Sequence, residues 1–198
     1  MVHPPTPFTR GIKNIKNMLT LKEINSFHRY YPFVEELLQS AFPADERRDD
    51  ELQRANADAN DKFHCLLIEK AENPIGLLTY WNFGTFVYIE HFAISEELRG
   101  GGLGLKALTL FLKDMNLPVV LEVEMPRIKG DITHRRIGFY RRVGFSLRKM
   151  AYKQPPYREG DGWLPMKLMT YGNFKLGSHT RRPPDKWYRA WSRPSSTT

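Results

Sequence analysis

The sequence predicts a mixed α+β fold. Three observations carry that reading: helically spaced apolar residues before residue 60, three consecutive β-rich runs over residues 61–95, and a later alternation of amphipathic and apolar stretches in the order β-α-β-α-β-β. A chain of 198 residues, 41% hydrophobic and 13% aromatic, can bury one proper core, and a single domain with small appendages is expected. No stretch approaches the roughly 18 apolar residues of a membrane helix, and the start lacks the apolar block of a signal peptide, so no membrane partner is expected. The single cysteine, Cys65, has no second thiol to pair with and fits a reducing cytoplasm. Inside the strand-like "FHCLLIE" it reads as a small buried apolar residue rather than a nucleophile.

The elements follow in order. In "YYPFVEELLQSAFP" Phe33, Leu37, Leu38 and Phe42 recur at helical spacing until Pro43 stops them. The polar "ADERRDDELQRANADAN" predicts a second, exposed helix; its "DERRDD" run reads as a solvated face or a site for a cationic acceptor. Three strands forming an antiparallel meander are then separated by turns at Glu72-Asn73-Pro74 and Asn82-Phe83-Gly84. Leu105, Leu108, Phe111 and Leu112 form one face of a third helix, and "LPVVLEVEMP" is a compact strand. A fourth helix, "DITHRRIGFYRRVGF", has Asp131 as its N-cap, and "SLRKMAYKQ" and "LPMKLMTYG" are the closing strands.

The net charge of +8 resides at the two ends. Arg10, Lys13 and Lys16 give the first twenty residues +3; six basic residues against Asp185 give residues 174–198 +5; the body between is neutral. A neutral body argues against a nucleic-acid partner. The organisation expected is a segment of unassigned structure over 1–29, a domain over 30–173 and a basic tail over 174–198.

Between a strand and a helix lies "RGGGLG", residues 99–104. The first amides of a helix lack intrahelical partners and sit at the positive end of its dipole, so such a turn receives anions, and glycines let a phosphate approach the backbone. A P-loop would need Gly-Lys-Ser/Thr, whereas Gly104 precedes Leu105-Lys106-Ala107. A dinucleotide fingerprint is formally met by Gly102-Leu103-Gly104-Leu105-Lys106-Ala107, with Glu122 twenty residues past Gly102, but Ser95 to Arg99 separate it from its strand and an antiparallel meander precedes it. The pattern R-x-x-G-x-G fits Arg99 to Gly104 in full.

On this motif, with "YIEHFAIS", "PVVLEVE" and "FYRRVGF", the sequence resembles the GNAT superfamily of N-acetyltransferases. The resemblance implies a central twisted, mostly antiparallel sheet of six or seven strands flanked by helices. It also implies acetyl-CoA as co-substrate, with direct attack by a primary amine of a small molecule or peptide. Coenzyme contacts are expected from Phe92, Ala93, Ile94, Arg99, Gly100, Gly101, Gly102, Leu103, Gly104, Leu105 and Tyr140. Thr133 stands where many relatives carry an asparagine, with Arg135 and Arg136 following. The segment before residue 30 matches poorly, so the first strand is unplaced.

An amine is mostly protonated at neutral pH, so attack on a thioester needs a base. Glu90 is the preferred base because the resemblance turns the fourth strand towards the acetyl group; Glu122 and Glu124, on one face of the next strand, are the alternatives. Alternation places His91 on the face opposite Glu90. The oxyanion donor is expected in a bulge of the fourth strand, at Ala93 or Ile94. Tyr140, a phenol with ordinary pKa near 10, is expected to protonate the departing thiolate. The loop "KQPPYREGDGW" offers Tyr157, Glu159, Asp161 and Trp163 to an acceptor cleft. A non-catalytic acyl-CoA-binding module is the alternative reading, and homodimerisation is left open.

Overall fold

The computed structural model describes residues 18–125, 131–158 and 160–174. Most of both basic ends, and Glu159, lie outside the described residues. The fold is mixed α+β, with four helices and an eight-stranded, mostly antiparallel sheet. Among the described residues, no helix is long and apolar enough to cross a membrane.

Strand β1 (Leu19–Glu23) pairs antiparallel with β2 (Phe63–Lys70), so the sheet begins ahead of residue 30. Helix α1 (Tyr31–Ala41) carries Pro32 in its first turn, where a missing N–H is harmless, and buries Tyr31, Val34, Leu37 and Leu38. The second helix is shorter than expected. A single 3-10 turn at Ala44–Glu46 precedes α2 (Asp50–Ala59), which buries only Gln53 and Asn56.

The meander continues with β3 (Asn73–Asn82) and β4 (Val87–Ile94). The β2–β3 turn is Ala71-Glu72, both at positive φ, rather than the expected Glu72-Asn73-Pro74, because Asn73 already pairs with Lys70. Helix α3 (Leu103–Lys113) makes the crossover that a parallel neighbour requires, delivering β5 (Val119–Glu124) beside β4. Helix α4 (Ile132–Val143) is N-capped by Asp131, which accepts from the His134 amide at 2.9 Å. The strand expected over 146–154 is broken into β6 (Ser146–Leu147) and β7 (Tyr152–Gln154), both antiparallel to β8 (Leu164–Tyr171). That break accounts for part of the excess over six or seven strands. The order is β1-β2-β3-β4-β5-β8-β6, with β7 on β8.

Each sheet face has its own core. Under α1 lie Leu67, Leu77, Trp81, Tyr88, Val120 and Leu168; under α3 and α4 lie Leu78, Ile89, Leu121, Val123 and Met169 with Leu108, Phe111, Ile137 and Tyr140. Cys65 is buried in the first core, and burial pushes its thiol up to about 12, as an inert apolar residue requires.

Two irregularities position the site. Thr79 pairs with His91 and Tyr80 with Ile89, so Glu90 is an extra residue in β4, a bulge that shifts the alternation of everything after it. The β4–β5 pairing covers only Val87–Ile89 against Val119–Leu121, and beyond it the two strands have no further pairing. Just past the bulge, β3 approaches β4 closely: a Cβ on Gly76 would lie 2.5 Å from the Ala93 carbonyl oxygen. Gly76→Ala should therefore destabilise the fold by about 1–3 kcal/mol, read by urea denaturation, although alanine is otherwise the better strand residue.

Candidate active site

The turn after β4 exposes backbone. Gly102, the N-cap of α3, has φ 72° and offers no side chain to the first-turn amides; Gly100 has φ 88°. A Cβ at Gly100 or Gly102 would meet nothing within 4 Å, so the space over these amides is open. Arg99 donates through Nε to the Ile94 carbonyl at 3.0 Å, which anchors the guanidinium at the mouth of the turn. Arg135, Arg136 and Arg142 of α4 line the same cavity, which encloses about 700 Å³. One half is therefore cationic and rich in helix-terminal amides, the surroundings a polyphosphate needs.

The cavity passes the gap between β4 and β5 and reaches the α1 face, where Leu37, Phe42, His91, Gln154, Tyr157 and Met166 form its wall. Amide direction at the gap follows from pairing. The His91 amide donates to Thr79 Oγ1 and the Ser95 amide to the Ile75 carbonyl, so the amides of 91, 93 and 95 face β3. Those of Phe92 and Ile94 face the side where β5 has parted. Of the two expected oxyanion donors, Ala93 is thus turned into the ladder and Ile94 towards the gap. The bulge lies at Glu90, not at Ala93 or Ile94.

Glu90 does not have the environment of a base. Its Oε1 accepts from Arg48 at 2.5 Å and from the Tyr157 hydroxyl at 3.1 Å; its Oε2 accepts from Arg48 at 2.8 Å and from Trp81 Nε1 at 3.2 Å. Every lone-pair direction of the carboxylate is used. Burial alone would push the carboxyl up, but the Arg48 guanidinium overrides it and holds it below the usual carboxylate range. Arg48 is itself buried, 5.4 to 5.6 Å from the ring centroids of Phe63, Trp81 and Tyr157. The bulge also puts His91 on the same face as Glu90, 3.8 Å away, which corrects the alternation argument. Since the Glu46 carbonyl can only accept, His91 donates to it from Nε2 at 3.0 Å and receives the Thr79 hydroxyl at Nδ1, 3.1 Å. Burial lowers its basicity further.

Glu122 is the carboxyl that differs. Burial pushes it up to about 8, against the Tyr152 and Tyr88 hydroxyls, which favour its ionised form. Oε1 accepts from the Tyr152 hydroxyl, whereas Oε2 is buried without a hydrogen-bond partner among the described residues. Glu122 lines the cavity; Glu124, on the same face of β5, does not, and stands 3.8 Å from Arg136. Tyr140 also lines the cavity, edge-on to Phe139 and Phe145, and its hydroxyl makes no hydrogen bond to the described residues. Burial pushes this phenol up to about 12, which makes outright proton transfer to a thiolate of pKa about 8.5 uphill. What Tyr140 retains is a strong donor position.

The sequence profile described as the Acetyltransferase (GNAT) family matches residues 31–145. The chain belongs to the GNAT family of acetyltransferases. It is 43% identical to a solved Bacteroides thetaiotaomicron protein described as a "putative acetyltransferase from GNAT family", with a TM-score of 0.75 over 79% of this chain and 88% of that one. It is 28% identical over 171 residues to the Bacillus subtilis protein named "Putative acetyltransferase YjbC", covering 77% of this chain and 84% of the relative. The fold is shared, at 16% identity and a TM-score of 0.54, with Arabidopsis thaliana Naa50 in complex with the bisubstrate analogue CoA-Ac-MVNAL, over 78% of this chain and 98% of that one.

Within this GNAT fold, Phe92, Ala93, Ile94, Arg99, Gly100, Gly102, Leu103, Gly104, Leu105 and Tyr140 all line the cavity, and of the expected coenzyme residues Gly101 does not. Thr133 gives its hydroxyl to Asp131 at 2.5 Å, so it serves the cap, while Arg135, Arg136, Phe139 and Arg142 present α4 to the cavity. From the 153–163 loop Tyr157 lines it; Asp161 and Trp163 do not, and Trp163 is exposed. Arg158 ties this loop to the α1–α2 connection through Asp49 at 2.6 Å and the Ala44 carbonyl.

Arg48→Met would leave Glu90 as an uncompensated buried charge, and should lower stability by about 3–5 kcal/mol; the double variant Arg48→Met/Glu90→Gln should recover much of that loss in the same urea titration.

Proposed function

We propose that this GNAT protein is an N-acetyltransferase that moves the acetyl group of acetyl-CoA to a primary amine by direct attack. The observation that carries the reading is the continuous cavity: an anion-binding turn on one face of the sheet communicates, through the gap between β4 and β5, with a buried carboxyl of raised basicity on the other. The open space above Gly100 and Gly102 fits a diphosphate close to backbone amides, and Arg99 with the α4 arginines supplies positive charge for the remaining phosphate. A neighbour of the same fold, Arabidopsis thaliana Naa50, is described in complex with a bisubstrate analogue that contains CoA, which is in keeping with this reading.

Bound coenzyme supplies an acyl group activated as a thioester, with a thiolate to be displaced. The chain's own residues do the rest. Glu122, ionised, takes the proton from the amine at Oε2, while Tyr152 holds Oε1. The Ile94 amide, fixed in direction by the bulge, meets the charge that develops on the acyl oxygen. Tyr140 donates a hydrogen bond to the sulfur as it gains charge. Glu90 and Arg48 hold the bulge and touch no reacting atom.

Glu122→Gln should lower kcat/KM by about 10²- to 10⁴-fold. With a weakly basic acceptor such as trifluoroethylamine, the wild-type rate should climb as pH rises through about 8, where Glu122 loses its proton, and the variant should lack that climb. A second readout is independent of turnover. The folded-state pKa of Glu122 exceeds its unfolded value, so its contribution to stability is complete below the ordinary carboxylate pKa and is lost as pH rises through about 8; Glu122→Gln should therefore melt above the wild type at pH 9.

Tyr140→Phe should leave coenzyme affinity, read by calorimetry, nearly unchanged and lower kcat about 10²-fold, the cost of one donor aimed at developing charge. Wild-type turnover in both variants would remove these roles from Glu122 and Tyr140, whereas a wild type that binds the coenzyme and turns over no amine would favour a module that holds acyl-CoA without using it.

A further inference from the structure

We infer that the acceptor is a small primary amine that carries, a few bonds from its reacting nitrogen, a neutral group able both to donate and to accept a hydrogen bond, an amide or a hydroxyl, and that Gln154 is its receptor. The inference rests on the acetyl-transfer reading of the cavity and concerns the half that the coenzyme does not use.

Gln154 ends β7 and is 4% exposed, yet it lines the cavity. Its Oε1 has no hydrogen-bond partner among the described residues, and its Nε2 makes no hydrogen bond there either. A buried amide left unpaired is costly, and such groups are uncommon in folded proteins. The other polar groups on this wall are engaged: Ser40 with the Leu37 carbonyl, His91 with Thr79 and the Glu46 carbonyl, and Tyr157 with Glu90. Two buried side-chain oxygens on the wall therefore lack a hydrogen-bond partner among the described residues, Glu122 Oε2 and Gln154 Oε1. Tyr152, which holds Glu122, lies two residues before Gln154 on the same strand face, about 7 Å along the chain. One molecule with its amine at Glu122 can place a second group at Gln154.

Charge narrows the class. The arginine behind this half, Arg48, is already matched by Glu90, while Glu46 stands partly exposed at the rim. A carboxylate or phosphate on the acceptor would find, among the described residues on the α1 side of the cavity, no cation without a carboxylate partner. At Gln154 itself a second ammonium would meet only the accepting half of the amide, whereas a neutral amide or hydroxyl satisfies both halves. Leu37, Ala41, Phe42 and Met166 supply apolar surface for the connecting carbons.

The test compares ω-amino amides and amino alcohols with the alkylamine, amino acid and diamine of matched chain length, in wild type and Gln154→Met. The wild type should favour the amide or alcohol over the alkylamine by about tenfold in kcat/KM, and Gln154→Met should erase that preference. The variant should melt at or above the wild type, because an unpaired buried amide has been removed. Calorimetric titration of the amino amide into each protein with CoA bound reads the subsite without turnover: binding lost in Gln154→Met supports the subsite even where no acetyl transfer occurs, which would count against the proposed function instead. Preference for the diamine or amino acid, a preference unchanged in Gln154→Met, or a variant that melts well below the wild type would each overturn the inference.

Discussion

The site depends on the ion pair between Arg48 and Glu90. Glu90 is the extra residue of the β4 bulge, and a bulge persists only where its surroundings over-determine it. Here a buried guanidinium from the α1–α2 connection, an indole from β3 and a phenol from the β7–β8 loop converge on one carboxylate. The bulge shifts the alternation of β4 so that the amides of Phe92 and Ile94 turn towards the gap. A charge pair remote from the reacting atoms thereby fixes the direction of a backbone donor. Removing either partner alone would leave a buried charge unmatched, which ties the stability of the fold to the geometry of the gap.

The two sides of the sheet divide the chemistry. Towards α3 and α4 the cavity is cationic and lined with backbone; towards α1 it is more enclosed, and burial there pushes the Glu122 carboxyl up to about 8. On the proposed reading, charge recognition and proton removal therefore take place in different dielectric surroundings, and neither Arg99 nor the α4 arginines need neutralise Glu122. Burial raises the Glu122 carboxyl, the basicity that the proposed proton abstraction needs, whereas Glu90, on the same face, is held ionised and low by the Arg48 guanidinium.

Much of the scaffold was legible in the sequence because it rests on local rules. Helical spacing placed α1, α3 and α4, the Asp131 cap behaved as its type requires, and the glycine cluster marked the turn that opens α3. What escaped was non-local. Nothing distinguishes Arg48 from Arg47 within "DERRDD"; only the packed fold sends one side chain inward. Strict alternation misplaced His91 because one inserted residue in β4 is invisible without knowing the partner register. Glu90 and Glu122 look alike as strand glutamates, and only burial, with a matching cation for one and phenols for the other, separates them. Tyr152 and Gln154 carried no motif at all.

The wall of the acceptor half has a clasp. Arg158 joins the loop after β7 to the connection before α2 through Asp49, and both partners face water. A contact of that kind weakens as dissolved ions crowd the surface, since the Debye length shrinks to about 8 Å at physiological ionic strength and further beyond it. The Arg48–Glu90 pair, enclosed in protein, is largely shielded from those ions. Ionic strength thus acts on the rim and spares the frame: salt loosens the tie between the β7–β8 loop and the α1–α2 connection while the bulge, the gap and the amide direction set by them stay as they are.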